Sequence, residues 1–266
     1  IDPTSIAKLV VPDYPIVGDL KITVKAMIEA IENGENEFND YSNWVELLRD
    51  YREKEPLRYI DSNEVIKPQW PIQRVGQLLG AKAIISTDVG QHQMWTAQFY
   101  PFSYPRQWIT SGGLGTMGFG LPAAMGVARA LKGTDKVSIN FTGDGSILMN
   151  IQELMTCVEY ELPVINIILN NNYLGMVRQW QTMFYGNRLS ETDLSAQPNF
   201  KMLVEAFGGL GYRVTTKEEF DIALKDAVEK KRPAMIEVVV ARHEEVLPMV
   251  PNGHALNEMT LIEGGK

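Results

Sequence analysis

The sequence lacks several features that mark common classes of protein. Cys157 is the single cysteine in 266 residues, which excludes an intrachain disulfide and is typical of a reducing compartment. No stretch approaches the roughly 20 apolar residues that a helix needs to cross a bilayer. Runs of lysine and arginine are also missing, and the net charge is −8. We therefore expect no membrane span and no nucleic-acid partner.

What is present is the composition of a globular protein, with 45% hydrophobic and 22% charged residues. Cys157 lies in the apolar stretch 154–158, which favours a buried structural thiol over a nucleophile. The chain begins at Ile1, without methionine or a signal or transit pattern, so we expect it to start within a longer protein. Its cellular location therefore cannot be predicted from this end.

The pattern along the chain divides into three segments. Residues 1–34 are typical of the end of an α/β domain, with a short strand over 15–19 and an amphipathic helix over 20–31. Residues 35–70 are predicted to be a linker, whose acidic start is followed by a helix over 41–53. Residues 71–266 are predicted to form the main domain.

The main domain alternates apolar strands with amphipathic helices. Strands that are almost wholly apolar are typical of a parallel sheet with helices on both faces, so we predict an α/β fold. The predicted strands cover 83–87, 137–141, 164–169 and 235–240, and the predicted helices cover 71–79, 121–131, 151–161, 202–207 and 217–230.

Polar loops follow three of these strands, at 88–93, 142–146 and 170–173. Ligands of parallel α/β sheets bind beyond the carboxyl ends of the strands, so these loops are the candidate site. Asp144 and Asn171 are separated by one helix and one strand, which places their loops at the same edge of the sheet. Carboxylate and carboxamide oxygens suit Mg²⁺, and Gly145 and Ser146 open a helix whose N–H groups attract phosphate. The combination predicts a diphosphate bridged by Mg²⁺.

The loop 111–120 contains Gly113, Gly115 and Gly118 at the spacing of a dinucleotide-binding fingerprint. That motif needs a strand leading directly into the first glycine, whereas 100–110 contains two prolines. The acid after the next strand, Asp144, lies between glycines, which suits a metal ligand beside a phosphate better than a ribose contact. We reject the nicotinamide interpretation. Close packing of the loop against its neighbours remains the alternative to a ligand contact.

Gly143-Asp144-Gly145, followed after 24 residues by Asn170-Asn171, resembles the signature of thiamine diphosphate enzymes. The segments 89–95, 174–181 and 246–253 resemble the catalytic subunit of the acetolactate synthase (acetohydroxyacid synthase) family. The similarity covers residues 1–262, as the C-terminal thiamine diphosphate-binding part of pyrophosphate-domain type, preceded by the last strand and helix of a central domain.

The resemblance implies a role for individual residues. Asp144 and Asn171 would bind Mg²⁺ through their side chains, and Tyr173 through its backbone carbonyl. Gly115 would offer its backbone to the aminopyrimidine, and Met117 would lie beneath the thiazolium and keep the cofactor bent. The other implied cofactor-binding residues are Gly90, Gln91, His92, Gly145, Ser146, Leu174, Gly175 and Met176. FAD without a redox role is also implied, near Asp19, Leu20, Gly112 and Gly113. A helix cap is the alternative for Asp19.

The implied reaction is decarboxylation of pyruvate and transfer of the remaining two-carbon unit to a second 2-keto acid. The products would be 2-acetolactate or 2-aceto-2-hydroxybutyrate, in the first common step of branched-chain amino acid biosynthesis. Met176 and Trp180 would shape the acceptor pocket, where Trp favours 2-ketobutyrate; plain core packing is the alternative for Trp180. The tail 246–253 would cover the entrance, and His243 and His254 are expected in surface or lid positions.

The family's catalytic Glu comes from an N-terminal domain of a neighbouring subunit, and these 266 residues contain no match to that domain. We therefore expect the chain alone to be inactive. The resemblance also implies a homodimer or tetramer of full-length subunits and a regulatory small subunit. The location would be cytoplasmic in a bacterium or plastid in a plant. Another thiamine diphosphate enzyme, such as a pyruvate oxidase or 2-keto acid decarboxylase, and a non-catalytic cofactor-binding fragment remain alternatives.

Overall fold

The computed structural model describes residues 1–34 and 39–261 and divides the chain into two compact units, Ile1–Pro56 and Leu57–Lys266. The division falls inside the predicted linker. Most of the linker's acidic start, residues 35–38, lies outside the described residues, as do the last five residues of the predicted main domain. No helix in the described part of the chain has the length and apolar character needed to cross a membrane.

The first unit contains a 3₁₀ turn over Pro3–Ser5 and two helices, α1 (Leu20–Glu32) and α2 (Ser42–Lys54). The Asp19 carboxylate caps α1 by accepting from the backbone N–H groups of Lys21 and Ile22. Neither helix buries a residue. The predicted strand over 15–19 is wrong, because these residues have no strand conformation and the described part of this unit offers no second strand to pair with.

The second unit is a six-stranded sheet surrounded by helices. Its strands are β1 (Ala83–Thr87), β2 (Trp108–Thr110), β3 (Val137–Gly143), β4 (Val164–Asn170), β5 (Leu210–Val214) and β6 (Ala234–Val239). Its helices are α3 (Gln69–Leu79), α4 (Gln91–Phe99), α5 (Gly120–Ala130), α6 (Asp144–Ile147), α7 (Glu153–Glu159), α8 (Gly175–Phe184), α9 (Phe200–Ala206) and α10 (Lys217–Lys230). Short 3₁₀ turns occur at Gly80–Lys82, Leu148–Asn150 and Leu256–Glu258.

The strand order is β2-β1-β3-β4-β6-β5, and every pairing is parallel. The four predicted strands occupy the centre, and the two that the sequence did not predict, β2 and β5, are the edges. Hydrophobic clusters cover both faces of the sheet. One includes Ile72, Trp95 and Phe220 from α3, α4 and α10, and the other includes Leu154 and Phe200 from α7 and α9. The predicted α/β fold with helices on both faces is confirmed.

This topology brings the polar loops together. β3 pairs with β4 in a register that sets Gly143 opposite Leu169, so Asp144 and Asn171 leave neighbouring strands at the same edge. Cys157 is fully buried in the second cluster, and burial raises the pKa of its thiol to about 12. The expectation of a structural thiol agrees with both observations.

Candidate active site

A cleft of about 520 Å³ opens at the carboxyl edge of the sheet, where the loops after β1, β3 and β4 meet. Its lining contains nearly all of the cofactor- and metal-binding residues predicted from the sequence. These are Gly90, Gln91, His92, Met117, Asp144, Gly145, Ser146, Asn171, Tyr173, Leu174, Gly175 and Met176. The predicted residues therefore form one surface, although they are spread over almost ninety positions of the chain.

Asp144 begins the short helix α6 immediately after β3 and is only 2% exposed. Its Oδ1 accepts from the N–H of Gly145 at 3.0 Å, and its Oδ2 accepts from the side-chain amide of Gln197. Burial raises the pKa of Asp144 to about 6, and these hydrogen bonds oppose the rise. A buried carboxylate without a cationic partner is costly, which favours a cation as its missing partner.

Asn171 lies opposite, in the loop after β4, and is 6% exposed. Its Oδ1 accepts from the N–H of Tyr173 at 3.1 Å, and its Nδ2 donates to Oε1 of Gln91 at 3.2 Å. Gln91 continues this network by donating to Oε1 of Gln179 at 2.9 Å. The Asn171 amide is thus oriented from both ends before any ligand binds.

His92 lies in the first turn of α4, which the sequence analysis took to be part of a loop. Its Nε2 is buried and has no hydrogen-bond partner, although the residue lines the cleft. Burial lowers the pKa of His92 to about 3, although a hydrogen bond with the Asp88 backbone acts to raise it. A buried ring nitrogen without a partner is uncommon in folded proteins, and its place in the cleft lining makes His92 a candidate ligand contact.

Two glycines keep the cleft open. A Cβ on Gly145 would lie 2.9 Å from Leu174 Cδ2 and 3.0 Å from Leu194 Cδ1. A Cβ on Gly175, the first residue of α8, would overlap Oε1 of Gln91 and lie 2.8 Å from Nδ2 of Asn171. The backbone can approach a ligand at Gly145, and the Gln91–Asn171 hydrogen bond can form beside Gly175, only because both lack a side chain.

The glycine loop 111–120 is fixed to the end of β1. Asp88 accepts from the N–H of Gly120 at 2.8 Å and from the Thr142 hydroxyl at 2.6 Å. A Cβ on Gly120 would lie 2.7 Å from the Asp88 backbone nitrogen, so close packing also explains part of the glycine content. Met117 reaches the cleft, whereas Gly115 is exposed, has a φ of +69° and lies outside the lining.

The helix α8 forms one side of the cleft. Met176 and Val177 line the cleft and also a neighbouring open depression that contains Trp180. Trp180 is 47% exposed and meets Phe184 edge to face at 6.1 Å between ring centroids. The alternative of a core tryptophan is therefore wrong, because the ring faces outward beside the cleft.

The Tyr173 ring lies close to two guanidinium groups. Arg242 lies 4.5 Å and Arg178 5.8 Å from the ring centroid, and Arg242 pairs with Asp193 at 2.6 Å. Tyr173 also forms a backbone bridge with Asp193. These contacts hold the loop that carries the Tyr173 carbonyl, the third metal ligand predicted from the sequence.

The residues present fit a magnesium ion and a diphosphate. One carboxylate, one carboxamide and one backbone carbonyl are hard oxygen donors, and Mg²⁺ completes such a set with water and phosphate oxygens. Within residues 1–34 and 39–261, no three His, Cys, Asp or Glu side chains are grouped to hold a metal. The set of Asp144, Asn171 and Tyr173 contains one such side chain, so it would need phosphate or water oxygens as further ligands of a metal.

Residues 88–238 match the family described as thiamine pyrophosphate enzyme, C-terminal TPP binding domain. The match spans more than half of the chain and contains β2 to β5 and all of β6 except its last residue. The chain belongs to this family. The resemblance to thiamine diphosphate enzymes that the Asp144 and Asn171 loops carry is thus confirmed, and the matched range includes every residue that lines the cleft.

Individual relatives carry a more specific name. The chain is 44% identical over 266 residues to the acetolactate synthase isozyme 3 large subunit of Escherichia coli strain K12, covering 98% of the chain and 46% of the relative. It is 41% identical over 276 residues to acetolactate synthase 1, chloroplastic, of Zea mays, covering 100% of the chain and 43% of the relative. The chain thus spans about half the length of the curated relatives it matches.

Some predicted residues lie away from the cleft, and some functional contacts were missed. Asp19 and Leu20 belong to the first unit, and Gly112 and Gly113 are exposed in the second, so the flavin contacts stay a prediction. His243 and His254 are exposed, as expected. The sequence analysis missed Gln179 and Gln197, whose amides hold Gln91 and Asp144 from the segments after β4.

Proposed function

We propose that this chain supplies the thiamine diphosphate- and Mg²⁺-binding part of an acetolactate synthase. The complete enzyme decarboxylates pyruvate and joins the two-carbon unit to a second 2-keto acid. The product is 2-acetolactate or, with 2-ketobutyrate, 2-aceto-2-hydroxybutyrate, in the first common step of branched-chain amino acid biosynthesis. The observation that carries the proposal is the match of 98% or more of the chain to proteins named acetolactate synthase.

The geometry of the cleft supports a division of roles at its base. Asp144 and Asn171 would hold Mg²⁺ through their side chains, and Tyr173 through its carbonyl, and the backbone at Gly145 and Ser146 would lie beside the diphosphate. The unpartnered Nε2 of His92 lies in the same lining. Thiamine diphosphate, when bound, stabilises the negative charge left on the substrate carbon after loss of CO₂. The protein's part is to hold the cofactor in place and to exclude water.

The side of the cleft supports a role in choosing the acceptor. Met176 and Val177 connect the cofactor cleft with the depression beside Trp180, so a keto acid placed between the two contacts α8. Met117 enters the cleft from the glycine loop, where it would support the bound cofactor. The exposed apolar faces of Trp180 and Phe184 suit contact with a small aliphatic substrate.

Other parts of the proposal concern the whole enzyme. It forms a homodimer or tetramer in which a neighbouring subunit contributes the catalytic Glu, and it is regulated by a small subunit. FAD binds as a structural group near Asp19, Leu20, Gly112 and Gly113. The enzyme is cytoplasmic in a bacterium and plastid-located in a plant.

Product analysis of the intact protein tests the reaction. Incubation with pyruvate, thiamine diphosphate, Mg²⁺ and FAD should yield 2-acetolactate, and addition of 2-ketobutyrate should yield 2-aceto-2-hydroxybutyrate. Acetaldehyde or acetyl phosphate as the main product would instead identify a decarboxylase or an oxidase on the same cofactor site. The 266-residue chain alone should form no acetolactate, and formation of acetolactate would refute the dependence on a second domain.

Calorimetry tests the metal site separately from the reaction. Thiamine diphosphate should bind the intact protein only with Mg²⁺ present, and Asp144→Ala should abolish that dependence together with most of the affinity. Gln152→Ala, at an exposed position whose side chain donates to Asn150, provides the control. Equal affinity in Asp144→Ala and the control would contradict the proposed metal site.

A further inference from the structure

The carboxylate of Asp144 is held by a residue that belongs to neither the predicted metal ligands nor the cleft lining. Gln197 lies between α8 and α9, 53 positions further along the chain. Its Nε2 donates to Oδ2 of Asp144, and its Oε1 accepts from Nδ2 of Asn170 at 2.8 Å. One amide therefore bridges the end of β3 to the end of β4, the two strands whose loops form the metal site.

Asn170 transmits this bridge to the second metal loop. Its Oδ1 accepts from the N–H of Asn172 at 3.1 Å, which shapes the turn that carries Asn171 and Tyr173. Asn172 itself adopts a φ of +57°, an uncommon conformation that the turn requires. The position of the predicted carbonyl and carboxamide ligands is thus linked through Asn170 to the orientation of Gln197.

The direction of these hydrogen bonds is fixed by a second buried carboxylate. Asn170 Nδ2 also donates to Oε1 of Glu237 at 2.9 Å, and Glu237 is 5% exposed and pairs with Arg213 at 3.4 Å. Because Oδ1 of Asn170 accepts from the Asn172 N–H and Glu237 pairs with Arg213, Asn170 presents its NH₂ group to Glu237. The remaining hydrogen of that group faces Oε1 of Gln197, which leaves Nε2 of Gln197 to point at Asp144.

We propose that Gln197 is a positioning residue for the Mg²⁺ site, acting through Asp144 and Asn170. It occupies one side of Oδ2 of Asp144 and so leaves the other lone pairs of the carboxylate for the metal. This inference rests on the proposed metal site and adds a residue to it. Partners that orient metal ligands typically change metal affinity by about 10–100-fold when they are removed.

The test is a metal titration of the intact protein at saturating thiamine diphosphate. Mn²⁺ is the probe, and electron paramagnetic resonance measures the signal of the free Mn²⁺. Mg²⁺ affinity is measured by competition with Mn²⁺. Gln197→Met keeps the length of the side chain and removes both hydrogen bonds. We expect it to weaken Mn²⁺ and Mg²⁺ binding about 10–100-fold. If it does not fold, Gln197→Asn retains the amide but is one methylene too short to span both partners, and the same weakening is expected.

Gln107→Met is the matched control for a purely structural role. Gln107 is a buried glutamine and Gln197 a partly buried one, and each holds two partners through its amide. Gln107 donates to the carbonyls of Gly80 and Ala83, but it precedes β2, at the amino end of the strands and away from the metal site. We expect it to lower the melting temperature of the metal-free protein at least as much as Gln197→Met while leaving metal affinity unchanged.

Three outcomes count against the inference, and they are distinguishable. Wild-type metal affinity in Gln197→Met, with binding lost in Asp144→Asn, overturns the role of Gln197 but preserves the proposed metal site. Equal losses of metal affinity in Gln197→Met and Gln107→Met also overturn the role of Gln197, because they show that destabilisation of the fold alone weakens metal binding. Retained metal binding in Asp144→Asn overturns the metal site and this inference together.

Discussion

The cleft has two regions of opposite character. Its floor consists of Gln91, His92, Asp144, Gly145 and Asn171. All of these except Gly145 have polar side chains and are at most 6% exposed. Its rim is the outer face of α8, namely Met176, Val177, Trp180 and Phe184, which is apolar, with the last three residues 44–50% exposed. The usual arrangement of a globular protein, apolar inside and polar outside, is reversed at this edge of the sheet.

The difference shows which part of the site is fixed and which part can vary. Buried polar groups are tolerated only when each is hydrogen-bonded, so replacing one floor residue leaves its neighbours without a hydrogen-bond partner. The rim residues make few such hydrogen bonds. Replacing an exposed apolar side chain therefore removes mainly apolar contact area. We infer that the floor determines whether the cofactor binds and the rim determines which acceptor enters.

The most severe test of the floor is Gly175→Ala. The new Cβ would overlap Gln91 and approach Asn171 Nδ2 to 2.8 Å, so the hydrogen bond between these side chains must break. We expect calorimetry to show at least about 100-fold weaker thiamine diphosphate binding, since both a metal ligand and its support move. Gly126→Ala in α5 is the control, because among the described residues only the backbone of its own helix and its chain neighbours approach its Cβ position within 4 Å. Unchanged affinity in Gly175→Ala would show that the floor tolerates rearrangement.

The second test of the floor uses pH. Because burial raises the pKa of Asp144 to about 6, its carboxyl group is protonated below that pH and cannot bind a metal. Mg²⁺ affinity should therefore fall about tenfold per pH unit as the pH decreases below about 6. The metal-free protein should respond in the opposite direction. Its native state binds a proton that the unfolded state, with a pKa near 3.8, does not, so this group adds stability as pH falls from about 6 towards 4.

Titration calorimetry between about pH 7.5 and 5 measures the first effect, and thermal unfolding of the metal-free protein measures the second. Asp144→Asn removes the titrating group and should abolish the stability change in this range. A metal affinity that falls only near pH 4 would mean that Asp144 is ionised more readily than its burial implies.

The sequence predicts the central framework of this site well. β1, β3, β4 and β6 are rich in apolar residues and buried almost throughout, and their loops meet because parallel strands end at one edge. This placement of Asp144 and Asn171 follows from topology alone. The edge strands were missed for a physical reason. β5 is half-buried and contains Gly211 and Arg213, so it lacks the continuous apolar pattern of a central strand.

Helices beside the cleft were missed because residues that line the cleft interrupt their amphipathic pattern. α4 begins with Gln91 and His92, which belong to the floor, and the helix therefore lacks a clear apolar stripe. The role of Gln197 could not be predicted at all, since its partner is 53 positions away and their contact is set by packing. The sequence therefore indicates the ligands of a site better than the residues that orient them.

The smallest expected effect on cofactor binding comes from the rim, in Trp180→Leu. The substitution removes apolar area at the depression that α8 shares with the cleft but touches no floor residue. With equal pyruvate and 2-ketobutyrate, we expect the preference for 2-ketobutyrate to fall about tenfold, the scale on which apolar pockets discriminate by one methylene. Thiamine diphosphate affinity should stay within about twofold, because the floor is intact.

Tyr160→Leu, which replaces an exposed aromatic residue at the opposite end of the sheet, should change neither quantity. If cofactor affinity and acceptor preference fall together in Trp180→Leu, the two regions act as one unit and the separation of floor from rim is wrong.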